Sequence, residues 1–354
     1  MAKIVLNKIS KQYKNGQIQA LRNISIQCED GKFFCLLGPA GAGKTTTIKL
    51  IAGNETVDRG SIFLDDDEVT NLEPKDRDIA VAYETYALYP HLTVRENLRF
   101  PLDAPIRKNE YSPEAKNARV VEIANMLGIG ELLQRLPRQL SGGQRQRVAL
   151  GRALVRKPKA YLLDEPIAHL DAKLRHRMRG ELKRIQMGLG ITTLYTTPDQ
   201  LEALSLADNL AVINNGAIEQ VGTPDEVYNK PVNIFVARFV GDPPMNTLKA
   251  VFDGDQLVLA GLLKLKLPTR LKNLLTSCSN GKDIVVGIRP KDFKLMPESS
   301  LDPQFKAIVN QVQVLGETSV VTLSADSLEL RAKLATQQAP KRGENVALAF
   351  DINH

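Results

Sequence analysis

The chain has 354 residues, 43% of them hydrophobic and 25% charged, with a formal net charge of +7. Mixed charge and normal apolar content exclude disorder as the main state, and the length suits two domains, each able to bury a core. No window approaches the ~20 consecutive apolar residues of a spanning helix, and MAKIVLNKIS has no secretory apolar region, so a cytosolic chain is expected. The basic excess is spread without a long Lys/Arg block, which gives no stripe for nucleic acid. Cys28, Cys35 and Cys278 are odd in number and lack C-x-x-C spacing, so reduced structural thiols are expected. His91, His169, His176 and His354 have no metal-ligand spacing with them.

Taken in chain order, residues 3–9 and 20–27 read as strands around the turn Lys14-Asn15-Gly16. The apolar run Phe33–Leu37 reads as a buried strand, followed by a Gly-rich segment and a helix over Lys44–Ala52. Short strands are expected at 62–64 and 78–83, with the acidic Asp65-Asp66-Asp67-Glu68 as a solvated turn between them. From about 92 to 156 the pattern is helical, broken at prolines and glycines. Strands at 160–163, 193–196 and 209–213 then alternate with helices at 171–187 and 199–207. The basic helix face within Lys173–Arg184 is interleaved with Leu174, Met178 and Leu182 at helical spacing, so a solvated face is expected rather than a nucleic-acid surface. This alternation predicts a mostly parallel sheet with covered faces. Asn214-Asn215-Gly216 reads as a hairpin turn, and Thr223-Pro224-Asp225-Glu226 as a capping box with Pro at the first helical position. Past Gly241-Asp242-Pro243-Pro244, short β stretches at 248–252, 256–259, 284–288, 307–315, 319–323, 328–334 and 345–350 predict a small all-β barrel or sandwich. The expected domains are 1–240 and 241–354.

Gly38-Pro39-Ala40-Gly41-Ala42-Gly43-Lys44-Thr45 fits G-x-x-x-x-G-K-[ST] between an apolar strand and a helix. Glycines let backbone N–H groups converge on phosphate oxygens, and the helix N-terminus adds its positive end. Lys44 then reaches the outer phosphates and the Thr45 hydroxyl ligates Mg²⁺; Thr46 belongs to the same turn. Ala160–Leu163 is an apolar strand ending in Asp164 and Glu165. Asp164 at the strand's carboxyl end suits the Mg²⁺ shell, and Glu165 suits polarisation of water.

Leu140-Ser141-Gly142-Gly143-Gln144 precedes Asp164 at short range. With the two phosphate elements, this motif resembles the ATP-binding cassette family over about residues 1–240. The resemblance implies an α/β P-loop NTPase cassette: a RecA-like lobe, a helical subdomain at about 92–156 and an antiparallel β subdomain. It implies a head-to-tail ATPase dimer using ATP and Mg²⁺, in which Leu140–Gln144 and Asp171 face the ATP of the opposite subunit. Tyr13 is placed where an aromatic stacks on adenine. Ala168-His169-Leu170-Asp171 matches the loop that crosses the dimer. Tyr86-Ala87-Leu88-Tyr89-Pro90-His91 resembles the segment that receives two transmembrane permease subunits, with docking near 80–91. Phe239–Asn246 and Gly287-Ile288-Arg289-Pro290 are similar to the maltose-importer type, which carries an oligonucleotide/oligosaccharide-binding-like (TOBE-type) regulatory domain. That type is a peripheral ATPase on the cytoplasmic face of the membrane. It energises uptake of sugars, polyols, glycerol or glycerol phosphate delivered by an extracytoplasmic solute-binding protein.

Two positions depart from the family pattern. Pro198, in Tyr195-Thr196-Thr197-Pro198-Asp199-Gln200, replaces the switch histidine and has neither a side-chain donor nor an N–H. Glu84 replaces the usual glutamine. It can ligate Mg²⁺ as an anion, and it also brings negative charge toward a γ-phosphate, two effects of opposite sign on hydrolysis. Both changes lie in the half-site built on this chain's own phosphate loop, whereas the motif at 140–144 is intact. An asymmetric heterodimer with a non-identical ATPase is therefore expected. A homodimer and a non-hydrolysing nucleotide-binding regulatory subunit are the alternatives, and an ATP-binding cassette protein of DNA repair or translation is disfavoured by the single cassette and the C-terminal domain.

Overall fold

The computed structural model describes residues 2–85, 87–105, 111–252, 254, 256–259, 261, 263–278, 284–296, 305–326 and 328–350. Tyr86, His354 and the Cys278 side chain lie outside the described residues. Polar-apolar alternation opens the chain as strands β1 (Ile4–Tyr13) and β2 (Ile18–Cys28). They pair antiparallel around a turn in which Lys14, Asn15 and Gly16 all have positive φ. β1 also pairs with β4 (Arg59–Leu64), whose hairpin to β5 (Asp67–Glu68) exposes the acidic run 65–68 as expected. Ile4, Leu6, Ile9, Leu21 and Ile24 turn inward from this sheet.

The second sheet contains β3 (Phe33–Leu37), β6 (Ile79–Ala82), β7 (Ala160–Asp164), β8 (Thr192–Thr197), β9 (Asn209–Asn214) and β10 (Ala217–Gly222). Its order is β10-β9-β3-β8-β7-β6, parallel except for the edge hairpin to β10 through Asn215 and Gly216. Every residue of β3, β7 and β8 is buried, which explains why they read as unbroken apolar or threonine-rich runs: both faces are covered. The helices α1 (Lys44–Ala52), α5 (Ala172–Leu189) and α6 (Gln200–Leu206) are contributed by the connections between these strands. α5 buries Met178 and Leu182 and leaves Lys173, Arg177 and Arg184 exposed, while Arg175 and Lys183 turn to partners within the cassette.

Between β6 and β7 lie α2 (Val94–Arg99), α3 (Pro113–Met126) and α4 (Gly142–Leu154). Each starts on a side-chain cap: Thr93 with Glu96, Ser112, and Ser141 with Gln144. Val94, Leu98, Val120, Ile123, Val148 and Leu154 are buried in this helical part. The capping box at Thr223 and Glu226 starts α7 (Pro224–Asn229). Cys28 and Cys35 are buried free thiols. Burial pushes Cys28 up to about 12 and Cys35 well above its ordinary value, so both are inert at neutral pH.

The chain forms two compact units, Met1–Lys230 and Pro231–His354. The second includes α8 (Ile234–Phe239), because the buried Arg289 guanidinium donates to the carbonyls of Ala237 and Val240. Its strands form two antiparallel sheets. One is β13-β12-β11-β14, from β11 (Asn246–Phe252), β12 (Gln256–Leu259), β13 (Leu263–Lys266) and β14 (Ile284–Ile288). The other is β15-β19-β16-β17-β18, from β15 (Phe293–Met296), β16 (Phe305–Leu315), β17 (Thr318–Ala325), β18 (Leu328–Ala335) and β19 (Asn345–Phe350). Both sheets feed one core that includes Leu248, Leu259, Val321, Leu330 and Leu348. α9 (Thr269–Cys278) lies between β13 and β14 in the chain.

Asn246 staples the two sheets: its amide donates to the carbonyls of Ile288 (3.2 Å) and Arg331 (2.9 Å) and accepts from the Arg331 N–H (2.8 Å). Removing a buried amide with several partners leaves those partners unpaired, at roughly 1–3 kcal/mol. Asn246→Ala in the intact chain is therefore expected to speed exchange of the most protected β11 and β18 amides by roughly ten- to a hundredfold. Unchanged exchange there would show that the staple carries no stability.

Candidate active site

Four neighbouring parallel strands, β3-β8-β7-β6, end at the same edge of the sheet. The crevice beyond the carboxyl ends of such strands is where α/β sheets hold ligands. The chain leaving β3 forms the loop Gly38–Gly43, tied to the end of β8 by the Gly38 N–H and the Thr197 carbonyl (3.3 Å). A Cβ on Gly38 would lie 2.3 Å from the Ile213 carbonyl oxygen, so β9 permits only glycine there. A Cβ on Gly41, by contrast, would meet no atom within 4 Å. Gly41 has φ +76 and borders open space that a bulky anion could fill.

Lys44 begins α1 and is buried, so its ammonium needs partners. It donates to the carbonyls of Gly38 (3.0 Å) and Pro39 (3.0 Å) and pairs with Glu165 Oε1 at 3.3 Å. Glu165 has φ +47, a left-handed conformation uncommon for a residue with a side chain. It is held there by its N–H on the Thr196 carbonyl (3.1 Å) and by Gln146 Nε2 on its own carbonyl (3.3 Å). Asp164 ends β7 and is buried; the Thr196 hydroxyl donates to it at 2.6 Å, and the Thr45 hydroxyl also bonds it. Burial pushes the Asp164 carboxyl above its ordinary value, against the hydroxyls of Thr196 and Thr45. Burial also raises Glu165, against the neighbouring Lys44 ammonium. Glu84, just past β6, adds negative charge that raises both. Glu165 and Asp164 thus share the field of one ammonium, and Glu84 adds a third carboxylate charge to theirs.

Pro198 is exposed immediately beyond β8. The backbone around it is fixed from below by Glu202, which accepts from the Tyr195 (2.8 Å) and Thr197 (2.7 Å) hydroxyls. Asp199 caps α6 by accepting from the Leu201 and Glu202 N–H groups. Ser141 caps α4: its hydroxyl accepts from the Gln144 N–H (3.3 Å), and Gln144 Oε1 accepts from the Ser141 N–H (2.9 Å). The hydroxyl proton of this exposed serine is not used by the cap. A Cβ on Gly143 would lie 3.4 Å from Leu170, so the start of α4 abuts the loop 165–171. That loop is clasped by Arg175, which donates to the carbonyls of Ala168 (2.9 Å) and Leu170 (3.1 Å), while Asp171 caps α5. The Tyr13 ring lies at the end of β1 with the Lys11 ammonium 5.4 Å from its centroid.

Beside β6 and α4 is a cleft of about 300 Å³, lined by Ala80, Tyr83, Thr85, Ala87, Arg152 and Arg156 among others. Arg152 donates to the Ala87 carbonyl (2.7 Å) and stands 4.7 Å over the Tyr89 ring, which packs on Phe100.

Residues 21–168 match the ABC transporter family model, 241–293 the MalK OB fold domain and 286–354 the TOBE domain. The trehalose/maltose import ATP-binding protein MalK of Thermococcus litoralis is 45% identical over 95% of this chain and 92% of its own length. The chain belongs to the ATP-binding cassette family of import ATPases. The sn-glycerol-3-phosphate import ATP-binding protein UgpC of Brucella abortus is 44% identical over 91% of this chain and 87% of its own. A solved cassette, MJ0796 as a dimer in a post-hydrolysis state bound to ADP and Pi, superposes with a TM-score of 0.58 at 29% identity, covering 62% of this chain and 98% of that one. This cassette is an ATP hydrolase coupled to transmembrane solute import.

The cassette thus brings Lys44, Thr45, Asp164, Glu165 and Glu84 into one electrostatic cluster, with Pro198 beyond the neighbouring strand. Thr196, Gln146, Glu202 and Arg175 were not among the expected site residues: Thr196 and Gln146 reach partners remote in sequence, Arg175 bonds backbone carbonyls, and Glu202 bonds the hydroxyls of Tyr195 and Thr197 from inside the core. His169 and His176 share no helix face: α5 begins at Ala172, so His169 precedes it. Among the described residues no group of three His, Cys, Asp or Glu side chains is placed to hold a metal. The donors present, a hydroxyl and carboxylates, are hard oxygen ligands of the kind Mg²⁺ accepts when phosphates and water complete its shell.

Gly38→Ala forces a methyl into the β9 backbone. It is expected to lower the stability of the cassette by roughly 1–3 kcal/mol, read by urea unfolding. An unshifted unfolding midpoint would refute the close approach.

Proposed function

We propose that the loop Gly38, Pro39, Ala40, Gly41, Ala42, Gly43, Lys44, Thr45 and Thr46 binds the phosphates of ATP, and that Thr45, Asp164 and Glu84 hold the accompanying Mg²⁺. The supporting observation is the buried Lys44 ammonium, paired with Glu165 and two loop carbonyls beside the open space at Gly41. A phosphate entering there offers Lys44 a stronger anion than Glu165. Glu165, released from that pair, accepts a proton from water, and its burial raises its basicity for the task. Mg²⁺ would supply charge neutralisation at the transferring phosphate. Tyr13, partly exposed at the end of β1, is assigned to the adenine.

The cassette works as one half of a head-to-tail dimer. Leu140, Ser141, Gly142, Gly143 and Gln144 at the start of α4, with Asp171, serve the ATP of the opposite subunit. The partner is a non-identical ATPase that supplies the histidine missing at Pro198. By analogy with oxyanion donors, loss of one such group slows the site built on this chain's own loop by roughly a hundred- to a thousandfold. Two permease subunits dock on the segment near 80–91, where the cleft beside β6 offers a receiving surface. The chain then sits peripherally on the cytoplasmic face of the membrane and receives solute indirectly through a binding protein. The names of the relatives support a carbohydrate, polyol, glycerol or glycerol phosphate as cargo, and the second unit is a regulatory module.

In the reconstituted transporter, Gly143→Asp places a carboxylate against the opposite nucleotide and is expected to abolish transport. Lys44→Ala, which disables only the weaker site, is expected to leave a substantial fraction. Equal loss from both contradicts the asymmetric reading. Slow residual turnover with the partner's site disabled supports hydrolysis by this chain, and none at all supports a purely nucleotide-binding subunit.

A further inference from the structure

The second departure from the family pattern, Glu84, has a partner that lies far away in sequence. Its Oε1 is 3.5 Å from His169 Nε2, and both side chains are about half exposed. Glu84 lies just past β6, whereas His169 lies in the loop between β7 and α5, so the contact bridges two loops at the carboxyl end of the sheet. Glu84 also stands within electrostatic reach of Asp164 and Glu165, and its charge disfavours theirs. A carboxylate added to that cluster is stabilised by a nearby donor or cation. The imidazole N–H is such a donor in either of its ordinary charge states, provided the proton is on Nε2. The backbone at His169 lies in turn beside the start of α4: its carbonyl is 3.8 Å from where a Cβ on Gly143 would be.

We infer that His169 is a positioning residue for Glu84: it holds the carboxylate to the loop 165–171, and recruitment of Glu84 to Mg²⁺ must break this contact. The inference rests on the nucleotide site proposed above. Recruiting Glu84 to the metal frees the loop 165–171 from the loop past β6, so the contact is a latch between the chain's own phosphate site and the loop that abuts α4. Because the pair is exposed, its strength is that of a surface ion pair, and its effect on affinity is small but measurable.

The test is a Mg²⁺ titration of fluorescent-ATP binding to the full-length chain. Four variants are compared with the unmodified protein: His169→Ala, His169→Gln, Glu84→Gln, and the double variant His169→Ala with Glu84→Gln. Both positions are exposed, so circular dichroism is expected to report an unchanged fold. His169→Ala should lower the half-saturating Mg²⁺ concentration by roughly two- to fivefold, the range of an exposed pair. His169→Gln, which restores an N–H donor of similar reach, should return it to the original value. In the Glu84→Gln background, His169→Ala should produce no further shift. An equal shift in both backgrounds, or none in either, overturns the latch while leaving the nucleotide site intact. Absence of Mg²⁺-dependent binding in the unmodified chain, or binding indifferent to Lys44→Ala, overturns the nucleotide site and the latch together.

Discussion

One buried ammonium organises the first unit. Lys44 is nearly sealed from solvent, and a cation in that position is tolerable only where carbonyls and a carboxylate surround it. Those partners come from separate pieces of chain. Gly38 and Pro39 follow β3, Glu165 follows β7, and both are pinned to β8 between them, through Thr197 and Thr196. Parallel strands with covered faces make this convergence possible, because their carboxyl ends emerge together. The left-handed backbone at Glu165 and the amide of Gln146 on its carbonyl keep one carboxylate beside one ammonium, while the hydroxyls of Thr196 and Thr45 hold Asp164 next to it.

What could be read in the chain follows from how local each signal is. The strand Phe33–Leu37 and the helix Lys44–Ala52 were expected over the residues they occupy, because an apolar run, a glycine cluster and a helical period succeed one another without overlap. β1 runs on to Tyr13, past the expected end at 9. Its last residues are polar, and they extend as strand through pairing with Ile18–Leu21 and irregular register shifts. β13 and β15 were not expected: each is only four residues long and interrupted by lysine, and their place comes from sheet partners β12 and β19. α8 was missed as a six-residue segment without a sustained period, whereas α9, whose Leu271, Leu274 and Leu275 recur at helical spacing, was legible but lay among expected β stretches.

The same division holds at the site. Lys44, Thr45, Asp164 and Glu165 are legible because each chemistry sits at a fixed offset from a strand or helix end. Side chains that orient them are not. Gln146 reaches a backbone carbonyl, Arg175 clasps two more, and Glu202 braces the segment around Pro198 from inside the core. His169 read only as part of the loop that crosses the dimer, and its meeting with Glu84 depends on two loops whose approach no linear pattern records. In the second unit, by contrast, the two segments that resemble the maltose-importer type prove to be neighbours. Asn246 faces Ile288 across β11 and β14, and Arg289 closes on Val240.

The central claim is that the departures at 84 and 198 make this chain one unequal half of a two-ATPase machine. Native mass spectrometry of the importer, purified gently from its own membrane, tests it most directly. The account predicts one copy of this chain, one copy of a second and different cassette, and two permease subunits. Two copies of this chain with no other ATPase would contradict it, and hydrolysis without a histidine at 198 would then have to come from groups already in this site.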